Sequence, residues 1–287
     1  MSDHIPNVLT IEGRETQSIP LVLDSPHSGT IYPPDFGHGV DPHGLRHAED
    51  THVHDLWRGG LDHGAVLLHA LFPRSYIDCN RRENDMDPAQ IEGAMPYPLD
   101  PGEKSRLGIG LCWTREPPGG GPLYDRKLTA SEVMARIETY HRPYKAALRE
   151  LLDATHARFG EVWHINCHSM QEVASAMSDQ PRGTPRPDFV LGDRDGTTCA
   201  PELTAFVRDF LEGRGYSVAV NDPYRGQALI IENGDPAAAR HSMQVEVNRK
   251  LYMDEASREP NESYAATRET FTALSAALAD FIGGRHG

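Results

Sequence analysis

Cysteine is scarce in this sequence, with four among 287 residues, and no two of them have the C-x-x-C spacing of a redox or zinc-ribbon site. Small secreted domains depend on dense disulfides, whereas a chain of this length can bury enough apolar surface without them. Two cysteines, Cys79 and Cys167, lie in apolar runs typical of strands. We therefore expect free, buried thiols and a reducing compartment, the cytoplasm.

Long hydrophobic runs and basic clusters are also missing. No window approaches the ~18 consecutive apolar residues of a membrane helix, and residues 1–6 lack the order of a signal peptide. Lysine and arginine number 28 against 42 aspartates and glutamates, a formal net charge of −14. This balance argues against nucleic acid as a partner, because phosphate binding needs clustered positive charge, while the lack of a membrane-length apolar run argues against a membrane. A small anionic substrate is compatible with it, provided that particular arginines dominate the local field.

The chain alternates apolar, strand-like runs with helical patterns. The strongest run, residues 161–170, contains Val162, Trp163 and Ile165, which have the β-branched and aromatic density of a buried strand. Strands that alternate with helices predict an α/β fold of three layers, α/β/α, with a mixed, mostly parallel central sheet. Because the sequence shows no internal repeat and no clear linker, we expect one domain over residues 1–287.

The same patterns give coarse element positions. Residues 1–18 have weak apolar content and are expected to be an irregular lead-in. Pro143 should kink a helix that begins at the capping box formed by Thr129 and Glu132. Residues 88–126 are dense in glycine and proline, which is typical of a binding loop or lid. Further strands are expected at 21–24, 65–70, 73–79, 188–193, 216–220 and 241–248, an apolar run at 228–231, and helices from about 50, 129, 201 and 262.

Two of the apolar runs deliver a histidine to their carboxyl end. His27 follows the run at 21–24, and His168 follows Cys167. Because the carboxyl ends of parallel strands meet at one edge of a sheet, these side chains are candidates for a shared metal site. A hydrolytic zinc site commonly takes two histidines and one carboxylate and keeps a fourth position open. Asp50, near a helix start, is the candidate carboxylate.

Geometry limits the rival ligands without removing them all. His164 and His168 are four residues apart, about 13 Å along a strand, so they cannot share one metal ion. Asp50 and His54 would share a helix face and remain a competing pair. A lone histidine is also more often structural than metal-binding. The sequence leaves open a contribution from three neighbours of Asp50, namely Glu49, His52 and His54.

Three further charged positions are candidates for chemistry. Arg81, with Asn80, ends an apolar run beside an acidic cluster, where it could grip a carboxylate or form a surface ion-pair network. Glu246 lies within an alternating strand pattern, where a carboxylate must be paired, for example with Arg249, or serve as a general base. Arg225 lies on a turn, where an exposed arginine needs no functional explanation.

The ordered motifs resemble those of the N-formylglutamate amidohydrolases, a family related to zinc carboxypeptidases and aspartoacylase-type deacylases. The resemblance covers most of the chain. It rests on six motifs in order, SPHSG (25–29), EDTH (49–52), DCNR (78–81), NCHS (166–169), NDPYRG (221–226) and QVEVNRKLYM (244–253).

The resemblance implies a phosphorylase/hydrolase-like α/β/α fold and one Zn²⁺ per chain, held by His27, Asp50 and His168, although other divalent transition metals accept the same ligands. It implies that Glu246 activates a water molecule. It also implies catalytic and substrate-binding roles for Arg81, with Asn80 as its partner in clamping the substrate carboxylate. Arg225 would be a second anion contact.

The expected reaction is hydrolysis of an N-acyl amino acid, foremost N-formyl-L-glutamate to formate and L-glutamate, a step of histidine degradation. One alternative is a zinc amidohydrolase or carboxypeptidase that acts on another N-acyl amino acid or a short peptide. Another is a metal- or anion-binding protein without turnover, although pure binding does not require a base such as Glu246.

Overall fold

The structure, a computed structural model, describes residues 3–178 and 180–286 and is organised around an eight-stranded sheet. The strands in chain order are β1 (His4–Ile5), β2 (Leu9–Glu12), β3 (Leu21–Ser25), β4 (Val66–Ala70), β5 (Ile91–Glu92), β6 (Leu128–Thr129), β7 (Val162–Met170), β8 (Phe189–Gly192), β9 (Val218–Val220) and β10 (Arg240–Asn248). The large sheet has the order β1-β2-β4-β3-β7-β10-β8-β9, while β5 and β6 pair separately.

The middle of the large sheet is parallel and its flanks are mixed. Strands β4, β3, β7 and β10 run parallel to one another, as do β8 and β9, whereas β1/β2, β2/β4 and β8/β10 are antiparallel. The expected mixed, mostly parallel sheet is therefore confirmed. Its four parallel central strands bring their carboxyl ends to one edge, which is where open α/β sheets bind ligands.

Helices cover both faces of the sheet. The α-helices are α1 (Pro42–Leu45), α2 (Val53–Trp57), α3 (Glu103–Arg106), α4 (Ala130–Arg136), α5 (Arg142–Phe159), α6 (Pro201–Glu212), α7 (Ala228–Asn233) and α8 (Tyr264–Gly283). Alternate residues of β3 enter different cores: Val22 packs in a core with Leu148 of α5, and Leu23 packs in another with Phe271 of α8. This alternation has the strand period of two and produces the predicted three layers.

Some element predictions were wrong. Residues 73–79 form turns instead of the expected strand. The apolar run at 228–231, for which no element type was predicted, begins the helix α7. Residues 4–5 and 9–12 are strands at one end of the sheet, although a lead-in was expected. Periodicity failed at these places because runs this short do not distinguish strand from helix, and an edge strand needs few apolar residues.

The helical segment predicted from residue 129 is interrupted just before Pro143, where a kink was expected. The capping box of Thr129 and Glu132 begins α4, and a π-helical turn, Ile137–His141, joins α4 to α5. Proline has no amide hydrogen to donate, and the wider turn accommodates this loss. The turn directs His141 toward the 78–81 segment, where its Nε2 donates to the carbonyl oxygen of Arg81 at 2.9 Å.

All four cysteines are buried and free, as expected. Among the described helices, none combines the length and apolar character needed to cross a bilayer.

Candidate active site

Three side chains with metal-binding chemistry meet at the carboxyl edge of the central strands. The register pairs Asp24 of β3 with Asn166 of β7, so the chain leaves β3 almost level with His168. His27 lies on that exit, and its carbonyl oxygen accepts a hydrogen bond at 2.9 Å from the backbone N–H of Asp50. One ligand atom each from His27, Asp50 and His168 then lies within 4.8 Å of the others, and all three residues are buried.

The hydrogen bonds behind this cluster fix the histidine tautomers. His27 Nε2 donates to Asp78 Oδ1 at 2.6 Å, and His168 Nε2 donates to Asn166 Oδ1 at 2.6 Å. Both Nδ1 atoms are then free to present lone pairs toward Asp50 Oδ2, from which they lie 3.4 and 3.1 Å. Burial lowers the pKa of His168 to about 4, which keeps its ring neutral. Carboxylates and amides behind metal-binding histidines commonly play this part.

This arrangement fits a metal ion on its own evidence. The Nδ1 atom of His27 is buried and has no hydrogen-bond partner among the described residues. Two nitrogen lone pairs and a carboxylate oxygen face one another without a proton to share, an arrangement that a cation resolves. Two imidazoles and one carboxylate are a common donor set for zinc, with nickel, cobalt and iron as chemically acceptable substitutes.

The second oxygen of Asp50 is already occupied. Arg249 Nη2 and Ser169 Oγ donate to Asp50 Oδ1 at 3.1 and 3.2 Å. Burial alone would raise the pKa of Asp50, but its contacts with His168 and His27 and the positive charge of Arg74 hold that pKa well below its usual value. Asp50 is therefore a carboxylate, with one oxygen anchored to the protein and the other directed to the two histidines.

Glu246 lies beside this cluster on the neighbouring strand. The register of β7 and β10 pairs Glu246 with His168, and Gln244 Nε2 donates to Glu246 Oε1 at 2.9 Å. Burial, followed by the negative charge of Asp50, raises the pKa of Glu246 to about 8. A carboxyl group with a pKa near neutrality can both accept and return a proton, which is what a general acid–base catalyst needs.

A pocket of about 150 Å³ opens over these side chains. His168, Ser169, Gln244 and Glu246 form part of its wall, and the predicted Gly/Pro-rich loop contributes Lys104, Ile109, Trp113, Pro117 and Pro118. The loop therefore lines the pocket, as expected of a binding loop. Four arginines also line it, namely Arg74, Arg81, Arg186 and Arg249.

The Asn80-Arg81 pair lies in the pocket wall. Asn80 Nδ2 is 3.2 Å from His168 Nε2 and donates to Asn166 Oδ1 at 3.4 Å, while Asn80 Oδ1 accepts from the Leu229 N–H at 3.0 Å. Arg81 Nη1 donates to the carbonyl oxygen of Asn80 at 3.0 Å, and burial lowers the pKa of Arg81. Asn80 is thus held on several sides, while Arg81 keeps most of its donors for the pocket.

Arg225 lies outside this pocket. Its guanidinium pairs with Asp195, and both side chains are about half exposed, at 51% and 59%. The adjacent Tyr224 lines the pocket instead. A turn leaves the direction of each side chain undetermined from sequence, so the motif located the segment without locating the arginine.

The three neighbours of Asp50 left open by the sequence lie outside the cluster of ligand atoms. Glu49 accepts from Tyr32 and Thr51, and His52 Nε2 lies 3.0 Å from the carbonyl oxygen of Arg258. His54 does not share a face with Asp50, because α2 begins only at Val53. Its ring instead stacks on His69, with centroids 4.7 Å apart.

Sequence reasoning missed two pocket arginines, Arg74 and Arg186, and assigned Arg249 only a structural role beside Glu246. Arg74 lies in the segment mistaken for a strand, and Arg186 lies in the polar stretch before β8. Neither has a motif of its own. Arg249 directly follows β10, and this position at a strand end was the available signal.

Comparisons with known proteins point to one family. The N-formylglutamate amidohydrolase family model matches residues 19–253. A crystal structure of N-formylglutamate amidohydrolase from Ralstonia eutropha JMP134 is 49% identical, superposes with a TM-score of 0.91, and covers 96% of this chain and 98% of its own. N-formylglutamate deformylases from Pseudomonas putida and Pseudomonas aeruginosa are 28% and 26% identical, each match covering 83% of both sequences. The chain belongs to the N-formylglutamate amidohydrolase family.

Proposed function

We propose that this protein is a metal-dependent N-formylglutamate deformylase, which hydrolyses N-formyl-L-glutamate to formate and L-glutamate. The observation that carries the proposal is the cluster of ligand atoms from His27, Asp50 and His168 at a pocket that His168, the carboxyl group of Glu246 and several arginines line. The relatives named for this activity and substrate support it. Zn²⁺, one per chain, is the metal that the donor set favours.

His27, Asp50 and His168 would hold the metal ion. Its contribution would be Lewis acidity, which lowers the pKa of water toward ~7 and stabilises negative charge on the formyl oxygen. The chain supplies what the ion cannot: Asp78 and Asn166 keep both Nδ1 atoms unprotonated, and Asp50 stays ionised.

Glu246 is proposed to act first as the general base and then as the general acid. It accepts one from the attacking water, whose oxygen forms the new bond to the formyl carbon. The C–N bond then breaks, and Glu246 returns the proton to the departing amine of glutamate. Gln244 holds one carboxylate oxygen by its 2.9 Å hydrogen bond and so keeps the group in place between these two transfers.

Arginines on the pocket wall are proposed to bind the substrate and its developing charge. Arg81 lines the pocket and donates one hydrogen bond to the carbonyl oxygen of Asn80. It is proposed to bind the α-carboxylate next to the scissile amide. Arg74 lines the pocket and pairs with Asp78 at 2.9 Å. Its guanidinium is proposed to stabilise the negative charge that develops on the formyl oxygen.

The test is formate release from N-formyl-L-glutamate by purified protein, before and after removal of metal by a chelator and after restoration with zinc. We expect release that disappears on chelation and returns with zinc. A fully metallated protein that releases no formate would refute the named substrate. A panel of N-acyl amino acids and short peptides would then identify another amidohydrolase, and silence on the whole panel would favour a binding protein.

A further inference from the structure

N-formylglutamate carries two carboxylates, so a pocket selective for it needs a second cation besides the one that binds the α-carboxylate. The sequence offered Arg225 for this place, but its side chain is directed outward. Four other arginines line the pocket. Whether each one already has a carboxylate partner in the protein shows which of them is available to a ligand.

Two of the four pocket arginines are already neutralised. Arg74 forms its ion pair with Asp78 at 2.9 Å, and Arg249 forms one with Asp50 at 3.1 Å. Each of these guanidinium groups is compensated within the protein, so neither is the unpaired cation that a second substrate carboxylate needs.

Arg81 and Arg186 differ from them. Both are buried, each 6% exposed, yet within the described ranges neither has a carboxylate at ion-pair distance, and the Nε atom of each has no hydrogen-bond partner. A buried, uncompensated guanidinium is costly, and its cost is offset when an anion binds. Two such groups in one pocket match two carboxylates on one ligand.

Arg186 is also held rigidly. Its Nη1 donates to the Gln171 carbonyl oxygen at 3.3 Å, its Nη2 donates to Ser178 Oγ at 3.2 Å, and its guanidinium lies 5.2 Å from the ring centroid of Tyr224. These contacts fix the plane of the group while leaving Nε–H free. Arg186 and Glu246 line the same pocket, so the guanidinium and the proposed base face one cavity.

The two arginines come from different parts of the sheet. Arg81 belongs to the segment after β4, and Arg186 lies three residues before β8. Strands β3, β7 and β10 separate β4 from β8 in the sheet order. His168 and Glu246 are carried by β7 and β10, so the reacting centre lies on the strands between those that the two arginines flank.

We propose that Arg186 is the specificity-determining residue that binds the side-chain carboxylate of the substrate, while Arg81 binds the α-carboxylate. This proposal rests on the proposed function and makes it narrower: the substrate class is N-acyl derivatives of acidic amino acids. A neutral isostere of N-formyl-L-glutamate, such as N-formyl-L-glutamine, would lack the side-chain carboxylate that compensates the charge of Arg186.

The experiment compares kcat/KM for N-formyl-L-glutamate and N-formyl-L-glutamine in the zinc-loaded wild type, Arg186→Gln and Arg81→Gln. Arg186→Gln should lower the value for the glutamate derivative about 100-fold, as expected for loss of a buried charged partner, and change the glutamine derivative less than about threefold. Arg81→Gln should lower both substrates alike, because both carry the α-carboxylate. Arg208→Gln, an exposed arginine of α6, controls for the loss of one charge.

An equal loss of kcat/KM on both substrates in Arg186→Gln would overturn the assignment. A loss confined to the glutamate derivative in Arg225→Gln, and absent from Arg186→Gln, would also overturn it. Binding of glutarate and of butyrate, measured by calorimetry, separates this proposal from the reaction. If the wild type releases no formate yet binds glutarate at least about tenfold tighter than butyrate, and Arg186→Gln removes that preference, the proposed reaction fails while the Arg186 assignment stands. A wild type without preference for glutarate refutes the assignment.

Discussion

Replacing Asp78 with asparagine tests how the site prepares its histidines. Asp78 Oδ1 accepts the Nε2 proton of His27, and Asp78 Oδ2 accepts from Arg74 at 2.9 and 3.2 Å. An asparagine has only one oxygen, whereas both neighbours are donors. If the amide NH₂ faces His27, the ring proton must move to Nδ1, which then cannot bind a metal. If the amide NH₂ faces Arg74, the guanidinium of Arg74 meets another donor.

Either orientation removes an interaction that favours the metal-binding tautomer. Loss of a carboxylate behind a metal-binding histidine typically weakens metal affinity by about 10–100-fold, or about 1.4–2.7 kcal/mol. The net value of a hydrogen bond to a charged group, about 1.5–3 kcal/mol, lies in the same range. We therefore expect Asp78→Asn to weaken zinc binding by about 10–100-fold, with a smaller loss of kcat at saturating zinc.

Zinc competition against a chromophoric chelator measures the affinity, and formate release as a function of free zinc measures its consequence. Asp209→Asn is the matched control, because it removes an exposed carboxylate of α6 that is 66% exposed. Wild-type zinc affinity in Asp78→Asn, within about twofold, would refute the argument that Asp78 fixes the tautomer of His27.

Three other predictions follow from the same contacts. Glu246→Gln should retain zinc affinity but lose at least about 100-fold in kcat, measured by steady-state kinetics alongside metal analysis; substantial turnover would exclude Glu246 as the base. In metal-free protein, the pKa of Glu246, raised from 4.5 to about 8 by burial and Asp50, means that the native state retains a proton which the unfolded chain releases. Its contribution to stability is full below about pH 4.5 and is lost as pH rises through 8, so thermal unfolding scans from pH 5 to 8 should show a falling Tm, less steeply in Glu246→Gln. His141→Phe removes the hydrogen bond to the Arg81 carbonyl and should raise KM about fivefold with little change in kcat, while His141→Gln restores part of it; unchanged KM in His141→Phe would remove His141 as a positioning residue.

Site residues on or beside regular elements could be predicted from sequence, because the carboxyl ends of parallel strands lie at one edge of the sheet. His27 and His168 follow apolar runs, and parallel strands carry both to one edge of the sheet, where the structure brings them within reach of Asp50. Glu246 was accessible for the same reason, since the alternation of β10 placed it on a defined face.

Site residues on irregular segments could not be predicted in this way. Arg74 and Arg186 reach the pocket from turns and loops, whose backbone course depends on packing between distant parts of the chain. The Arg225 motif shows the converse: the segment reaches the pocket through Tyr224, but the turn directs the arginine toward Asp195. Periodicity has no information on either point, because it describes regular elements only.

The charge of the pocket opposes that of the whole chain. The protein carries a formal charge of −14, yet four guanidinium groups, of Arg74, Arg81, Arg186 and Arg249, line the pocket, where Glu246 has the one carboxyl group among the described lining residues. Asp78 and Asp50 neutralise Arg74 and Arg249. Arg81 and Arg186 remain as two positive charges without an ion-pair partner among the described residues. Such a pocket favours a ligand with two negative charges over a neutral one, since each carboxylate compensates a cation that the protein leaves unpaired.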